Sequence, residues 1–324
     1  MDPSSRAAVE RLSIGQAGVV SRQDACSFGL NQDDIRRLLR RGQWRRLYRG
    51  TYLVDADVRG GVPRRSWMWA ALLAYGPSSC LVGATGLELH GVQGLPVERR
   101  LYVGVLPTRS HRPRPPFSIE PSGVDDSPGV LVRQIAIHPD EVTSVDGLTV
   151  TVTARALADA GLTLDRTHAM CVLDSALNLG KVTEERVQQL GDDCVGRPGV
   201  RRLRELLPLA DGRAQSPLET RVRLACIDAG LAPDDLQYVV RDRWGRLLGI
   251  ADLAWWRCRR RALVAEADGV DAHSAPHALL HDRRRANDFT LAEVDTVRFT
   301  WADAVRPAYI ASVIRRGLAQ HVAA

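Results

Sequence analysis

The sequence predicts an α/β chain of the mixed α+β kind, and three observations predict it. Near the N-terminus a helix with arginines opposite its apolar stripe runs directly into a two-strand hairpin. Between residues 61 and 213 short strand-like runs are followed by a long helical stretch. In the last third, acids interrupt apolar strands that helices flank. At 324 residues the chain suits two or three domains, each large enough to bury a core, with boundaries expected at 1–60, 61–213 and 214–324.

Composition excludes several classes. Hydrophobic residues are 45% and charged residues 25% of the chain, as in a soluble globular protein. The most apolar helical run, Trp67 to Tyr75, is far shorter than the roughly 20 residues a bilayer requires. The N-terminus has no basic-then-apolar signal pattern, so the expectation is a cytoplasmic protein with no membrane partner. Cysteines 26, 80, 171, 194, 226 and 258 are scattered with no C-x-x-C pair, which argues against zinc and against a disulfide framework and for reduced, buried thiols. The net charge of +6 is carried by arginine, because Lys181 is the only lysine. Bulk charge says little about nucleic acid; the placement of the arginines says more.

From the N-terminus, helices are expected near Arg6–Leu12, Ser21–Phe28 and Gln32–Arg41. Asn31 with Asp34 makes a capping-box start for the third helix, and Gly42 is a natural stop. Ile35, Leu38 and Leu39 form its core stripe, while Arg36, Arg37, Arg40 and Arg41 fill the other face. Gln43–Tyr48, a turn at Arg49-Gly50 and Thr51–Val54 follow as a hairpin bearing Arg45 and Arg46. No acid occurs between Asp34 and Asp55. Three helices and a basic hairpin make a winged helix-turn-helix, whose third helix enters the major groove of double-stranded DNA while the wing lies along phosphates. A solvated arginine face on a small helical domain is the alternative.

A joint at Gly60–Pro63 precedes a helix and strand-like runs at Arg100–Leu106, Phe117–Glu120, Val130–His138 and Leu148–Val152. Pro107–Pro116 reads as a loop or extended linker. His90, at an apolar helix end, reads as a satisfied structural histidine. Arg155 and Asp159 at i,i+4 read as a helix salt bridge. From Thr153 to Leu209 the pattern is helical, and the stretch ends in a polar joint at Asp211–Gln215.

The last third opens on a helix at Ser216-Pro-Leu-Glu219, itself a capping box, with Leu218, Val222, Cys226 and Ala229 at helical spacing. Leu247–Trp255 reads as a strand in which Ile250, Asp252 and Ala254 share a face. After a turn through Arg257, Arg259, Arg260 and Arg261, a second strand over Ala262–Gly269 sets Val264, Glu266 and Asp268 on one face. Glu266 and Asp268 then project the same way, roughly 7 Å apart at their backbones. Two unit charges at about 4 Å cost on the order of 4 kcal/mol at an effective dielectric of 20, so a hard cation, an arginine or a retained proton must offset them. Oxygen ligands of this type suit Mg²⁺ or Mn²⁺, held by Asp252 and Glu266; no organic cofactor is expected. An ionic cluster with Arg283, Arg284 or Arg285, without turnover, fits the same residues.

Two resemblances add to this reading. The N-terminal segment, with Leu81-Val-Gly-Ala-Thr-Gly-Leu-Glu-Leu-His-Gly91 and Val150-Thr-Val-Thr-Ala-Arg155-Ala-Leu-Ala-Asp159, resembles AbiEi-type abortive-infection antitoxins. That implies a protein that binds DNA and represses its own operon. Residues Ser216 to Arg316 resemble the PD-(D/E)XK nucleases, and more closely the very-short-patch-repair (Vsr) branch. The pieces that carry the likeness are Ser-Pro-Leu-Glu219, Glu266-x-Asp-Gly-x-x-x-His273, Asp282-x-x-Arg285-x-Asn287 and Val297-Arg-Phe-Thr-Trp301. It implies a restriction-endonuclease-like fold with Glu219, Asp252, Glu266, Asp268, His273 and Arg285 as the catalytic set. One departure is plain: Asp268 stands where the family's signature lysine belongs, so His273, Asp268 or Arg285 would have to polarise phosphate or activate water.

Three functions compete: a DNA-binding, antitoxin-like regulator with a nuclease-fold C-terminal domain; a metal-dependent DNA endonuclease targeted by its winged helix; and a scaffold that neutralises a toxin protein.

Overall fold

The computed structural model describes residues 2–54, 61–97, 100–105, 118–119, 128–256, 261–269 and 287–320. The expected loop at Pro107–Pro116, His273, the arginines Arg283 to Arg285 and the turn through Arg257, Arg259 and Arg260 lie outside these residues. The chain packs as two units, one of Met1–Gly91 with Pro96–Ala160 and one of Val92–Leu95 with Gly161–Ala324.

The first unit opens with α1 (Pro3–Gly15), β1 (Val19–Ser21), α2 (Arg22–Ser27), α3 (Gln32–Arg40), β2 (Trp44–Arg46) and β3 (Thr51–Val54), with strand order β1-β3-β2. This is the architecture of a winged helix. The sequence reading lacked β1, whose three residues are too few to show an alternation. Capping starts both short helices: Ser21 with Asp24 at α2, and Asn31 with Asp34 at α3. Gly29 (φ 91°) and Gly50 (φ 79°) take the left-handed backbone at the helix-to-helix turn and at the wing's tip. Val9, Val20, Ala25, Leu30, Ile35, Leu38, Trp44 and Tyr52 form the core beneath α3.

The other face of the wing is buried as well. Leu47, Tyr48 and Leu53 share a core with Trp67 and Met68 of α4 (Arg64–Tyr75) and with a six-stranded sheet. That sheet runs β6-β7-β5-β4-β9-β8, from β4 (Ser79–Leu81), β5 (Leu101–Val105), β6 (Ser118–Ile119), β7 (Val130–Gln134), β8 (Val142–Val145) and β9 (Leu148–Thr151), with α5 (Gly83–Leu89) and α6 (Thr153–Gly161) beside it. Tyr48 donates its hydroxyl to the Pro128 carbonyl at 2.8 Å, and burial pushes the phenol up from its ordinary value. Tyr48→Phe leaves that buried carbonyl unsatisfied. The expected loss is about 1–2 kcal/mol, read as a lower urea midpoint with an unchanged slope.

His90 and Arg155 are structural, as expected. The His90 ring nitrogen Nε2 meets the Thr151 carbonyl at 2.8 Å, and Arg155 bonds Asp159 at 3.1 Å and Glu141 at 2.6 Å.

The second unit contains α7 (Arg166–Asn178), α8 (Glu184–Asp193), α9 (Val200–Leu206) and α10 (Pro217–Asp228), then β10 (Asp235–Arg241), β11 (Leu247–Trp255), β12 (Leu263–Ala267), β13 (Asp295–Phe299) and α11 (Pro307–Gln320). The sheet order is β10-β11-β12-β13, antiparallel except for the parallel pair β12–β13. Leu218, Val222 and Cys226 of α10 and Ile310, Ile314 and Leu318 of α11 close over Leu253, Leu263, Ala265 and Phe299. One buried ion pair ties α7 to α10: Arg223 bonds Asp174 at 2.6 Å, with 5% and 1% of the residues exposed.

Among the described cysteines, Cys80, Cys171, Cys194 and Cys226 are buried, while Cys26 is exposed. Burial pushes Cys171 and Cys226 up to about 12, so those thiols are inert near neutrality. Cys26, on the solvent side of the short helix α2 next to the buried Ala25, departs from the expectation that the thiols are buried.

Candidate functional site

The arginine face forms as the sequence predicts. Arg36, Arg37, Arg40, Arg41, Arg46 and Arg49 are exposed and Arg45 is half-buried, with Ile35 and Leu38 directed into the core. The seven are not equivalent. Arg36 bonds Asp33 at 3.2 Å and Arg37 bonds Asp34, each at i,i+3 along α3. Those acids belong to the first turn, where they also serve the helix N-terminus. Among the described residues, Arg40, Arg41, Arg45, Arg46 and Arg49 have no acidic partner. These five guanidinium groups, on the last turn of α3, on β2 and at the wing's tip, form a surface suited to polyanion phosphates.

In the second unit the acids come together in a row across the sheet. The β11–β12 register pairs Leu253 with Ala265 and Ala254 with Val264; continued one step, it sets Asp252 opposite Glu266. The strands open there, and Asp252 accepts the Ala267 backbone N–H at 2.7 Å. The parallel register then pairs Glu266 with Arg298 of β13, whose Nε donates to the Glu266 carboxylate at 3.1 Å. Glu219, in the first turn of α10, takes bonds from the Gln215 N–H at 2.9 Å and the Gln237 side-chain amide at 3.0 Å. Burial, and then the charge of Asp252, raise the Glu219 carboxyl above its ordinary range against those bonds. Asp268 lies one residue past the end of β12, half-buried, its N–H bonded to the Phe299 carbonyl at 2.8 Å.

Among the described residues no three histidine, cysteine or carboxylate groups gather closely enough to hold a metal ion. The donors present are committed instead: Glu266 to Arg298, Asp252 to a backbone N–H, Glu219 to two amide donors.

A family model described as a transcriptional regulator, AbiEi antitoxin, matches residues 8–54. That match falls on the winged helix. Two proteins of Mycobacterium tuberculosis, from strains CDC 1551 / Oshkosh and ATCC 25618 / H37Rv and each described only as uncharacterized, are 34% identical to this chain over 164 residues. The match covers 49% of this chain and 59% of each relative, so the chain spans less than two thirds of the relatives it matches. A crystal structure of the RV2827C protein from Mycobacterium tuberculosis has a TM-score of 0.39 at 15% identity, over 74% of this chain and 85% of that one. That likeness is too remote to carry function.

All seven arginines proposed for DNA lie within or directly before the end of the AbiEi domain's match. Glu219, Asp252, Glu266 and Asp268 lie in one unit, and His273 and Arg285 fall outside the described residues. Sequence reasoning missed Arg298 and Gln237. The neutralising arginines expected from the sequence, Arg283 to Arg285, lie outside the described residues; Arg298 meets Glu266 from a strand about thirty residues further on, in a parallel pairing that local patterning does not reveal. The missing signal was inside a quoted motif: Val297-Arg-Phe alternates, which sends Arg298 to the face opposite Val297 and Phe299.

Proposed function

We propose that this chain is a DNA-binding transcriptional regulator of the antitoxin type, whose AbiEi domain grips double-stranded DNA through Arg40, Arg41, Arg45, Arg46 and Arg49. The observation that carries the proposal is the absence of any acidic partner for those five among the described residues, on a domain matched to a regulator family. Family membership of the winged helix also supports a toxin protein as partner, encoded beside it. A nucleotidyltransferase-like toxin in the neighbouring reading frame supports that part; a methyltransferase or an isolated gene counts against it.

The test is a mobility shift of the full chain on duplex DNA from its own promoter. The full chain is needed because Leu47 and Tyr48 are fully buried against residues beyond position 60. Retardation that disappears in Arg40→Ala/Arg45→Ala/Arg46→Ala is the expected result. Unretarded DNA at low salt, or retardation indifferent to the triple substitution, defeats the proposal.

A second reading, metal-dependent endonuclease, is favoured by the order helix, hairpin, strand in which α10, β10–β11 and β12 carry Glu219, Asp252 and Glu266, with the charge of Asp252 felt at Glu219. The Arg298 pairing favours the alternative, a nuclease-like domain used for binding without turnover. If Glu266 serves Arg298, wild-type melting will not respond to Mg²⁺ or Mn²⁺, plasmid will not be nicked, and Glu266→Gln will cost about 1 kcal/mol, reduced by the partial exposure of Arg298. A metal-induced rise in melting temperature that Glu266→Gln abolishes supports the endonuclease instead.

A further inference from the structure

The tip of the β10–β11 hairpin is built in a way the fold does not require. Asp242 accepts the N–H groups of Trp244 and Arg246, both at 2.9 Å, and closes the turn with the Arg246 carbonyl at 3.0 Å. Gly245 takes φ 82°, and Arg241 donates to its carbonyl at 2.9 Å. The one acid of the tip is therefore occupied by backbone N–H groups, and Arg241, Arg243 and Arg246 stay exposed with no acidic partner among the described residues. Trp244 is 76% exposed, and the Arg243 guanidinium sits 4.1 Å from its ring centroid. An indole held out in water by a rigid turn and steadied by a guanidinium is a stacking platform. Beside it a groove of about 630 Å³ is lined by Arg246, Leu248 and Leu291 and by the acids Asp242, Asp288 and Glu293. The volume and mixed lining suit the base of a nucleotide, with apolar walls for its faces and acids for its amino edge, while the exposed Arg243 and Arg246 at the rim meet its phosphates.

We propose that this tip binds unpaired nucleotides of single-stranded DNA, with a base stacked on Trp244 and phosphates on Arg243 and Arg246. A base inside a duplex cannot offer its face to an indole, so the platform selects strands that are open. The site is independent of the arginines of the AbiEi domain and of the carboxylate row.

The experiment uses the full chain carrying Arg40→Ala/Arg45→Ala/Arg46→Ala, which removes the duplex-binding face, and measures anisotropy of a labelled oligothymidine strand. Trp244→Ala is expected to weaken binding by about 5- to 100-fold and Trp244→Phe by less than about threefold, since a phenyl ring still stacks. Arg243→Gln/Arg246→Gln should flatten the salt slope by about 1.4, two phosphates at roughly 0.7 each. Binding unchanged by Trp244→Ala, or lost equally with Trp244→Phe, overturns the proposal. So does tighter binding of an RNA strand of the same length, or of matched duplex. No binding of the strand at low salt overturns it without touching the promoter-binding reading, whose own failure would leave this result unaffected.

Discussion

Arg223→Met will destabilise the second unit by about 3–5 kcal/mol at neutral pH, because it strands a buried carboxylate. Asp174 accepts from Arg223 at 2.6 Å, from the Thr220 hydroxyl at 2.9 Å and from the Asp211 N–H at 2.9 Å. Burial is the largest influence on Asp174 and raises its carboxyl above the ordinary range; the Arg223 charge is the main opposing one. The sign follows. A carboxyl raised in the folded state contributes its stability below the unfolded value and loses it as pH rises through the folded one. Without Arg223 the rise is larger, so the penalty of the variant grows from acid toward neutral pH. Denaturant unfolding at pH 4.5 and 7.5 checks this, and a gap that is equal at both, or larger in acid, refutes it. Replacing both partners, Asp174→Leu/Arg223→Met, should recover most of the loss, since a well-packed apolar pair leaves no buried charge.

The second large effect is on DNA affinity. If five phosphates are neutralised, log affinity of the full chain for promoter DNA falls against log salt with a slope near −4.5. Removing Arg40, Arg45 and Arg46 should flatten that slope to about −1.8 and lower affinity about 500-fold at 0.1 M salt relative to wild type. Arg36→Ala/Arg37→Ala should do less, because Asp33 and Asp34 already hold those two guanidinium groups along the helix. Titrations of both variants at several salt concentrations separate the two sets. Equal slopes for the three proteins would mean that the arginine face does not meet phosphate.

The winged helix was legible because its signals are local. The Asn31–Asp34 capping box, the stripe of Ile35 and Leu38 and the Arg49-Gly50 turn each act within a few residues, and each formed as read. The strand pair that carries Asp252 and Glu266 was legible for the same reason: an acid inside an apolar alternation is visible wherever the chain goes. β1 and β4, of three residues each, were not: they are too short for period two to show, and neither has the adjoining Arg49-Gly50 hairpin turn that marks the equally short β2.

By itself the sequence determined the mixed α+β class, the helices and hairpin of the AbiEi domain, the alternation that places each strand acid, and the arginines facing away from the core. Only the tertiary structure decided which charges remain available. The i,i+3 bonds of Asp33 and Asp34 engage two of the seven arginines, and the parallel register of β12 with β13 brings Arg298 onto Glu266. Packing of α7 against α10 buries Asp174 with Arg223. The physical reason is range: capping and periodicity act between near neighbours in the chain, whereas the fate of a charge depends on what the fold brings within about 4 Å of it and how much water it excludes.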